Sequence, residues 1–484
     1  MIIYSFSITM RRGFKFEKIL LNKMPQKAIE DTGTRTRLNK AISLKEATIY
    51  GIGVILGAGI YALLGEASGI AGNATWLSFV IGAIIASFTA LSYAELSSIF
   101  PRAAAEFVYV KNSTGSFFLA FIVEYIVFLS LIFSAAAVSF GFGGYLNSLV
   151  GSNILYTAAV VIILLSILNF KGIKESARFN IISTFVEVGG LVLIILLGLS
   201  FVGSVDYFEV PNGVSGATDL GELFIPIFGA TVLVFFAYQG FEELANLTEE
   251  TQESKKNIPK AMLIALAITT ILYILVSIVA VSVVNYAELA ESAAPLAMIA
   301  ERAGGSGMGQ LLGLIALFAT ANTVLILLIS SSRMLYGMSA QGAIPKLFSE
   351  VHEKTKTPMF SIAFSAIIAI IFLVFVNDLR DLAMLTNMAI FLSFFSVNAS
   401  LILIRFSKKK YEAGFRAPFN IGKLPITAVL GCLSSLIMLP QLLQPMIILG
   451  IELPIILFGG LIMVLGIPVY YFGKSRQIDP ILGK

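Results

Sequence analysis

Apolar residues fall along this chain in long blocks separated by short polar or basic stretches. Windows about 20 residues long, the length a helix needs to cross a bilayer, predict twelve membrane-spanning helices. They cover residues 45–67, 74–100, 117–148, 153–170, 177–203, 223–249, 258–285, 308–337, 358–376, 382–406, 424–444 and 448–473. The expected fold is therefore an all-α polytopic membrane protein.

Two of these blocks are interrupted. The first holds Gly51-Ile-Gly-Val-Ile-Leu-Gly-Ala-Gly-Ile60, and its glycines lower the cost of unwinding around Gly57, Ala58 and Gly59. Backbone groups freed at membrane depth are tolerated where they are buried in protein or line a cavity, so a break marks a candidate site. The alternative is that Gly53 and Gly57, four apart, form a small-residue surface for close helix packing. The sixth block carries Val234-Phe-Phe-Ala-Tyr-Gln-Gly-Phe-Glu-Glu243, with a second break near Gly240. Interrupted helices at matching positions of two five-helix halves point to a five-plus-five inverted repeat with a midplane site. The halves would be residues 45–203 and 223–406, with 424–473 an appended two-helix hairpin. This correspondence favours the site over the packing surface.

A broken helix presents both polarities. Amides freed at Ala58 and Gly59 begin the second half of their helix and attract an anion such as a carboxylate. Carbonyls of Ile55, Phe236 and Gln239 suit an ammonium. A gap with both ends matches a zwitterion, which favours an amino acid over a sugar or a simple ion. Ala237 and Gly240 complete the candidate lining.

Composition agrees with a membrane protein: 57% of residues are hydrophobic and 13% charged, with a mean hydropathy of +0.90. When loops are assigned alternately to two sides, all of the 33 lysines and arginines except Arg302 and Arg380 fall on one side. The positive-inside rule then puts both termini in the cytoplasm. The net charge of +4 reflects this topology and gives no reason to expect nucleic acid. Residues 1–44 read as a basic cytoplasmic arm without a compact signal-peptide pattern, and 474–484 as a cytoplasmic tail. The single cysteine, Cys432, excludes an intrachain disulfide.

Carboxylates in spanning helices are candidates for function. Glu187 sits near the middle of the fifth helix, where loss of water favours the neutral acid and suits proton coupling; if ionised, it would hold a cation; the third reading is a structural hydrogen bond to a neighbouring helix. Glu242 follows the second break and would cap freed amides or relay protons. Glu95, Glu124 and Glu243 lie nearer the cytoplasmic ends, where pairing with loop bases is the simpler reading. Phe236 and Tyr238 would close over a substrate or simply pack. His352 stands alone in a loop, so no transition-metal site is expected. No cofactor is implied beyond a coupling proton or sodium ion, and no phosphate-binding loop or nucleophile elbow supports an ATP-driven pump or a hydrolase.

An ordered set of motifs resembles the amino acid-polyamine-organocation transporters, particularly their cationic amino acid transporter-like branch. It comprises Gly51 to Gly65, Ala90-Leu-Ser-Tyr-Ala-Glu-Leu-Ser97 with Pro101, Glu124-Tyr125, Asn169 to Asn180, Phe235 to Glu242 with Glu249-Glu250 and Ile258-Pro259, and Ser332 to Gly342 with Pro345. The resemblance implies a LeuT-type fold and secondary transport of amino acids by alternating access. It also implies carboxylate binding at Ala58 and Gly59, amine binding at Ile55, Phe236 and Gln239, and a gating role for Phe236. One position departs: many prokaryotic members carry a lysine seven residues after the asparagine matching Asn180, and here that residue is Glu187. The expectation is a transporter, not an enzyme, in the plasma membrane. A neutral amino acid is favoured; a cationic one becomes reasonable if Glu124 reaches the pocket. An amino acid exchanger, a cationic amino acid or polyamine transporter, a non-transporting amino acid sensor and a channel are the rivals, and oligomeric state is left open.

Overall fold

A computed structural model of the chain describes residues 42–102, 104–171, 173–211, 220–448 and 451–475. The expected basic arm up to residue 41 and the tail from 476 lie outside the described residues.

The first helix, α1 (Leu44–Ala71), begins at a reciprocal cap in which Ser43 bonds the Glu46 amide while the Glu46 carboxylate bonds the Ser43 amide. Its backbone leaves helical geometry at Gly57, with φ 0° and ψ −161°. A 3₁₀ turn (Gly72–Ala74) leads into α2 (Thr75–Ile99). Phe100-Pro101 ends α2, and the chain then makes a ten-residue helix, α3 (Ala105–Thr114), where a plain loop was expected. The helices α4 (Phe117–Val150), α5 (Ile154–Lys171) and α6 (Ile173–Gly198) complete the first half.

The second interrupted block folds as α7 (Leu220–Val234), a 3₁₀ segment (Phe235–Tyr238), a turn and the single-turn α8 (Glu243–Asn246). After it come α9 (Ser254–Val283), the short α10 (Tyr286–Ala290) and α11 (Pro295–Gly304), then α12 (Ser306–Ala340), α13 (Met359–Val376) and α14 (Leu379–Phe406). The fold is mostly helical, as expected, and the C-terminal part adds two short hairpins. A hairpin of β1 (Asn420–Ile421) and β2 (Leu424–Pro425) precedes α15 (Ile426–Met438). A second hairpin, β3 (Pro445–Ile448) with β4 (Ile451–Pro454), occupies the start of the window expected to be the twelfth span. That window's helix is left to α16 (Ile455–Val464) and α17 (Gly466–Ser475). Pro445 and Pro454 bound the hairpin and favour extended backbone over helix there.

Among the described residues, ten helical stretches are long and apolar enough to cross a membrane, the first of them, Gly59–Ile99, joining the second half of α1 to α2 across the 3₁₀ turn. Outward-facing apolar side chains such as Leu164, Phe185, Ile271 and Leu461 are exposed, which is stable against lipid and costly against water. This is a multi-pass membrane protein. Inside the bundle α4 packs along α12 and α14, α9 against α2 and α1, and α6 against α1 and α12. The second interrupted helix packs on the first, α7 and its 3₁₀ segment against α1, with α2 alongside.

Candidate substrate site

The two breaks lie against each other. A Cβ on Gly59 would sit 2.5 Å from the Cα of Ala237, and one on Gly240 would sit 2.8 Å from the Cγ1 of Val54. Gly240 has φ +116°, a conformation that side chains rarely adopt. Glycine is needed here both for close approach and for the turn.

Tyr273 of α9 joins the two breaks. Its hydroxyl lies 2.6 Å from the Ile55 carbonyl and 3.0 Å from the Ala237 carbonyl, and its single proton is shared between them. One acceptor position of Ile55, expected to serve an ammonium, is thus already used; a carbonyl retains a second lone pair. The Phe236 carbonyl accepts a long bond, 3.4 Å, from the Gln239 amide. The Gln239 side chain donates to Asn387 at 3.0 Å, and Asn387 in turn donates to the Val232 carbonyl at 2.7 Å, which fixes the last turn of α7. Glu242 bends back so that its Oε2 accepts from the Gly240 amide at 2.9 Å. The capping geometry expected of Glu242 is present.

Between the breaks and the helices α4, α12 and α14 is a cavity of about 60 Å³, lined by Ile55, Gly57, Gly59, Phe236, Gln239, Gly240 and Glu242 of the sequence-derived set. At about 10–15 Å³ per water centre this holds roughly four to six waters. Ala237 packs on Gly59 behind that lining. The second half of α1 resumes at Ala58, so the amides of Ala58 and Gly59 stand in its first turn, without partners inside their own helix segment. The rest of the lining is mainly aliphatic, with Val54, Val127, Leu131, Val138, Ile326, Leu327 and Ile390, and with hydroxyls from Ser130, Ser134, Thr323 and Ser330.

Three carboxylates, Glu106, Glu242 and Glu243, also line it. Glu106 was not legible as a site residue, because it follows the proline stop in a stretch that reads as a loop. Helix α3 carries it back into the bundle, where it is 3% exposed and accepts from the Tyr93 hydroxyl at 2.8 Å. Burial pushes its carboxyl up to about 7, against the opposing effect of that hydrogen bond.

Glu187 does not line the cavity. It is fully buried in α6, its Oε1 accepts from Asn322 at 3.1 Å and its backbone carbonyl accepts from Tyr61 at 2.8 Å. Its Oε2 has no partner among the described residues. The next residue on α12, Thr323, packs against Gly57. Glu187 thus sits on a helix packed directly against α1, outside the cavity lining, with its carboxyl turned to Asn322 of α12. Glu124 is buried outside the lining, with one oxygen unpartnered among the described residues, so the condition that pointed to a cationic substrate is not met in this structure. Glu95 pairs with Arg405 at the end of α14, not with a loop base, and Glu243 lies beside Arg333 of α12. Among the described residues, no group of three or more His, Cys, Asp or Glu converges on a metal position.

A multi-pass helical bundle whose two interrupted helices meet over a partly polar cavity belongs to the class of membrane transporters. The chain is a member of the amino acid permease family, whose sequence profile matches residues 42–467, and through it of the amino acid-polyamine-organocation superfamily. It is similar to a methylthioribose transporter of Bacillus subtilis, 28% identical over 87% of this chain and 93% of that protein. A branched-chain amino acid permease, BcaP, of the same species is 28% identical over 87% and 92%. Cationic amino acid transporter 4 of Homo sapiens is 30% identical over 80% of this chain and 63% of its own length. These relatives are transporters and permeases, not enzymes.

Proposed function

We propose that this protein is a secondary transporter of amino acids in the plasma membrane that works by alternating access, with the substrate held between the two breaks. The observation that carries the reading is the direct contact of the breaks, Gly59 on Ala237 and Gly240 on Val54, over a cavity that both line. In this reading the amides of Ala58 and Gly59 take the carboxylate. The carbonyls of Phe236 and Gln239, with the remaining lone pair of Ile55, take the ammonium. Phe236 closes over the side chain. The chain has twelve spans, five plus five as an inverted repeat with a C-terminal pair, and both termini are cytoplasmic.

The aliphatic lining favours a neutral, branched side chain, in keeping with the branched-chain amino acid permease among its relatives. Glu106, Glu242 and Glu243 support a second reading, a basic side chain directed to that part of the cavity. Glu187 is the proposed coupling group, because a buried carboxyl with an unpartnered oxygen accommodates a proton or a cation. It acts on the first break through Asn322 and Thr323 of α12.

The test is counterflow of labelled leucine, arginine and methylthioribose in proteoliposomes, followed by uptake under a pH or sodium gradient. Leucine exchange with arginine excluded supports the neutral reading, and the reverse supports the second. Methylthioribose exchange alone would refute an amino acid substrate, and binding without exchange would make the protein a sensor.

A further inference from the structure

Carboxyl groups from separate elements line one part of the cavity, and Glu106 of α3 is the one outside the spanning helices. Its partner Tyr93 meets the ring of Phe241 edge-on at 5.9 Å and that of Phe394 at 5.8 Å. Phe241 follows Gly240, so a single side chain ties Glu106 to the second break.

The ionisable groups around Glu106 are mostly acidic. From α2 comes Tyr93, while Glu95 is already paired with Arg405 of α14. From α4 comes Glu124, with its buried unpartnered oxygen. From the second break come Glu242, bonded to the Gly240 amide, and Glu243, with Arg333 of α12 beside it. From α3 itself come Tyr109, whose buried hydroxyl has no partner among the described residues, and Lys111, which lies over the rings of Phe107 and Phe117. Glu106 is within electrostatic reach of Glu124, Glu242 and Glu243. Like charges this close cannot all ionise in a buried site without a large cost.

We propose that Glu106 is a positioning residue whose charge governs the closing of this part of the cavity. Ionised, it demands hydration, keeps this part of the cavity open to water and holds the second break away from α3; protonated, it lets the break close down through Tyr93 and Phe241. The proton arrives from and returns to the same side, so none is carried across. Burial places the titration of Glu106 at about 7, so this part is closed below that pH and opens above it. The inference rests on reading the cavity as the transport pathway.

The test needs no substrate. In the purified full chain with Cys432→Ser, a reporter cysteine replaces Leu327, which lines the cavity, and its labelling by a water-soluble thiol reagent is followed from pH 6 to pH 8. The reporter thiol's ionised fraction is measured at each pH from its thiolate absorbance in the folded chain, and the rate is expressed per thiolate. A single group at about 7 is roughly 9% ionised at pH 6 and roughly 91% at pH 8, so the corrected rate rises about tenfold. In Glu106→Gln it stays flat and low. A corrected rate that climbs in Glu106→Gln as in the parent overturns the proposal. Tyr93→Phe gives an independent reading if Glu106→Gln does not fold. Losing the bond that favours the ionised carboxyl moves the midpoint to higher pH, and an unmoved midpoint overturns the proposal equally. Failure to carry any amino acid counts against the transport reading alone, because the labelling still decides the role of Glu106.

Discussion

Gly59→Ala is the sharpest test of how the two breaks are built. The added methyl would lie 2.5 Å from the Cα, 2.7 Å from the Cβ and 3.2 Å from the backbone nitrogen of Ala237. Carbon atoms rest about 3.5–4.0 Å apart, so the breaks must separate by about 1 Å. Backbone atoms cannot rotate away as a flexible side chain would. Overpacking of this kind costs about 1–3 kcal/mol. If the cost falls on the substrate-bound state, at 1.4 kcal/mol per factor of ten it weakens affinity roughly 5- to 150-fold. The matched control is Gly189→Ala, a helical glycine whose added methyl meets nothing within 4 Å. Affinity is read by competition binding with the substrate found in counterflow, and folding by size-exclusion profile and thermal unfolding. Gly59→Ala should lose affinity while eluting as a folded protein, with Gly189→Ala within about twofold of the parent. Parental affinity in Gly59→Ala would refute the reasoning and remove α1 from the site.

Further outcomes are expected elsewhere. Tyr273→Phe leaves the carbonyls of Ile55 and Ala237 without their shared donor, a loss of about 1–3 kcal/mol; thermal unfolding should fall and substrate affinity weaken together. Glu187→Gln keeps the shape but not the titrating group, so it should alter the pH or sodium dependence of uptake; an unchanged profile would make Glu187 a structural hydrogen-bonding residue. Arg405→Met strands the buried Glu95 carboxylate, at about 3–5 kcal/mol. The double variant Glu95→Gln with Arg405→Met should recover much of that loss in thermal unfolding.

What could be read from the residues alone depended on range. The irregular backbone at Gly57 and at Gly240 was legible because glycine content acts locally, and the membrane class because apolar blocks of spanning length act without regard to partners. The capping by Glu242 was legible for the same reason: it reaches back two residues. Tyr273 was not, because its two acceptors lie 218 and 36 residues away and a lone tyrosine in a spanning helix carries no signal of its own. Glu106 was hidden by position, since nothing after Pro101 indicated that the chain would turn back into the bundle.

The sequence by itself determined that the chain lives in a membrane, where its helices break, and which carboxylates it takes into the bilayer, since each of these follows from the local cost of exposing apolar side chains or of bending backbone. The tertiary structure decided which of those groups meet. It pressed one break on the other, drew Glu106 into the cavity, and left Glu187 and Glu124 outside the lining. Those outcomes depend on packing between segments hundreds of residues apart, where the close approach of backbones and the few available hydrogen-bond partners select one arrangement among many that the same hydrophobic pattern permits.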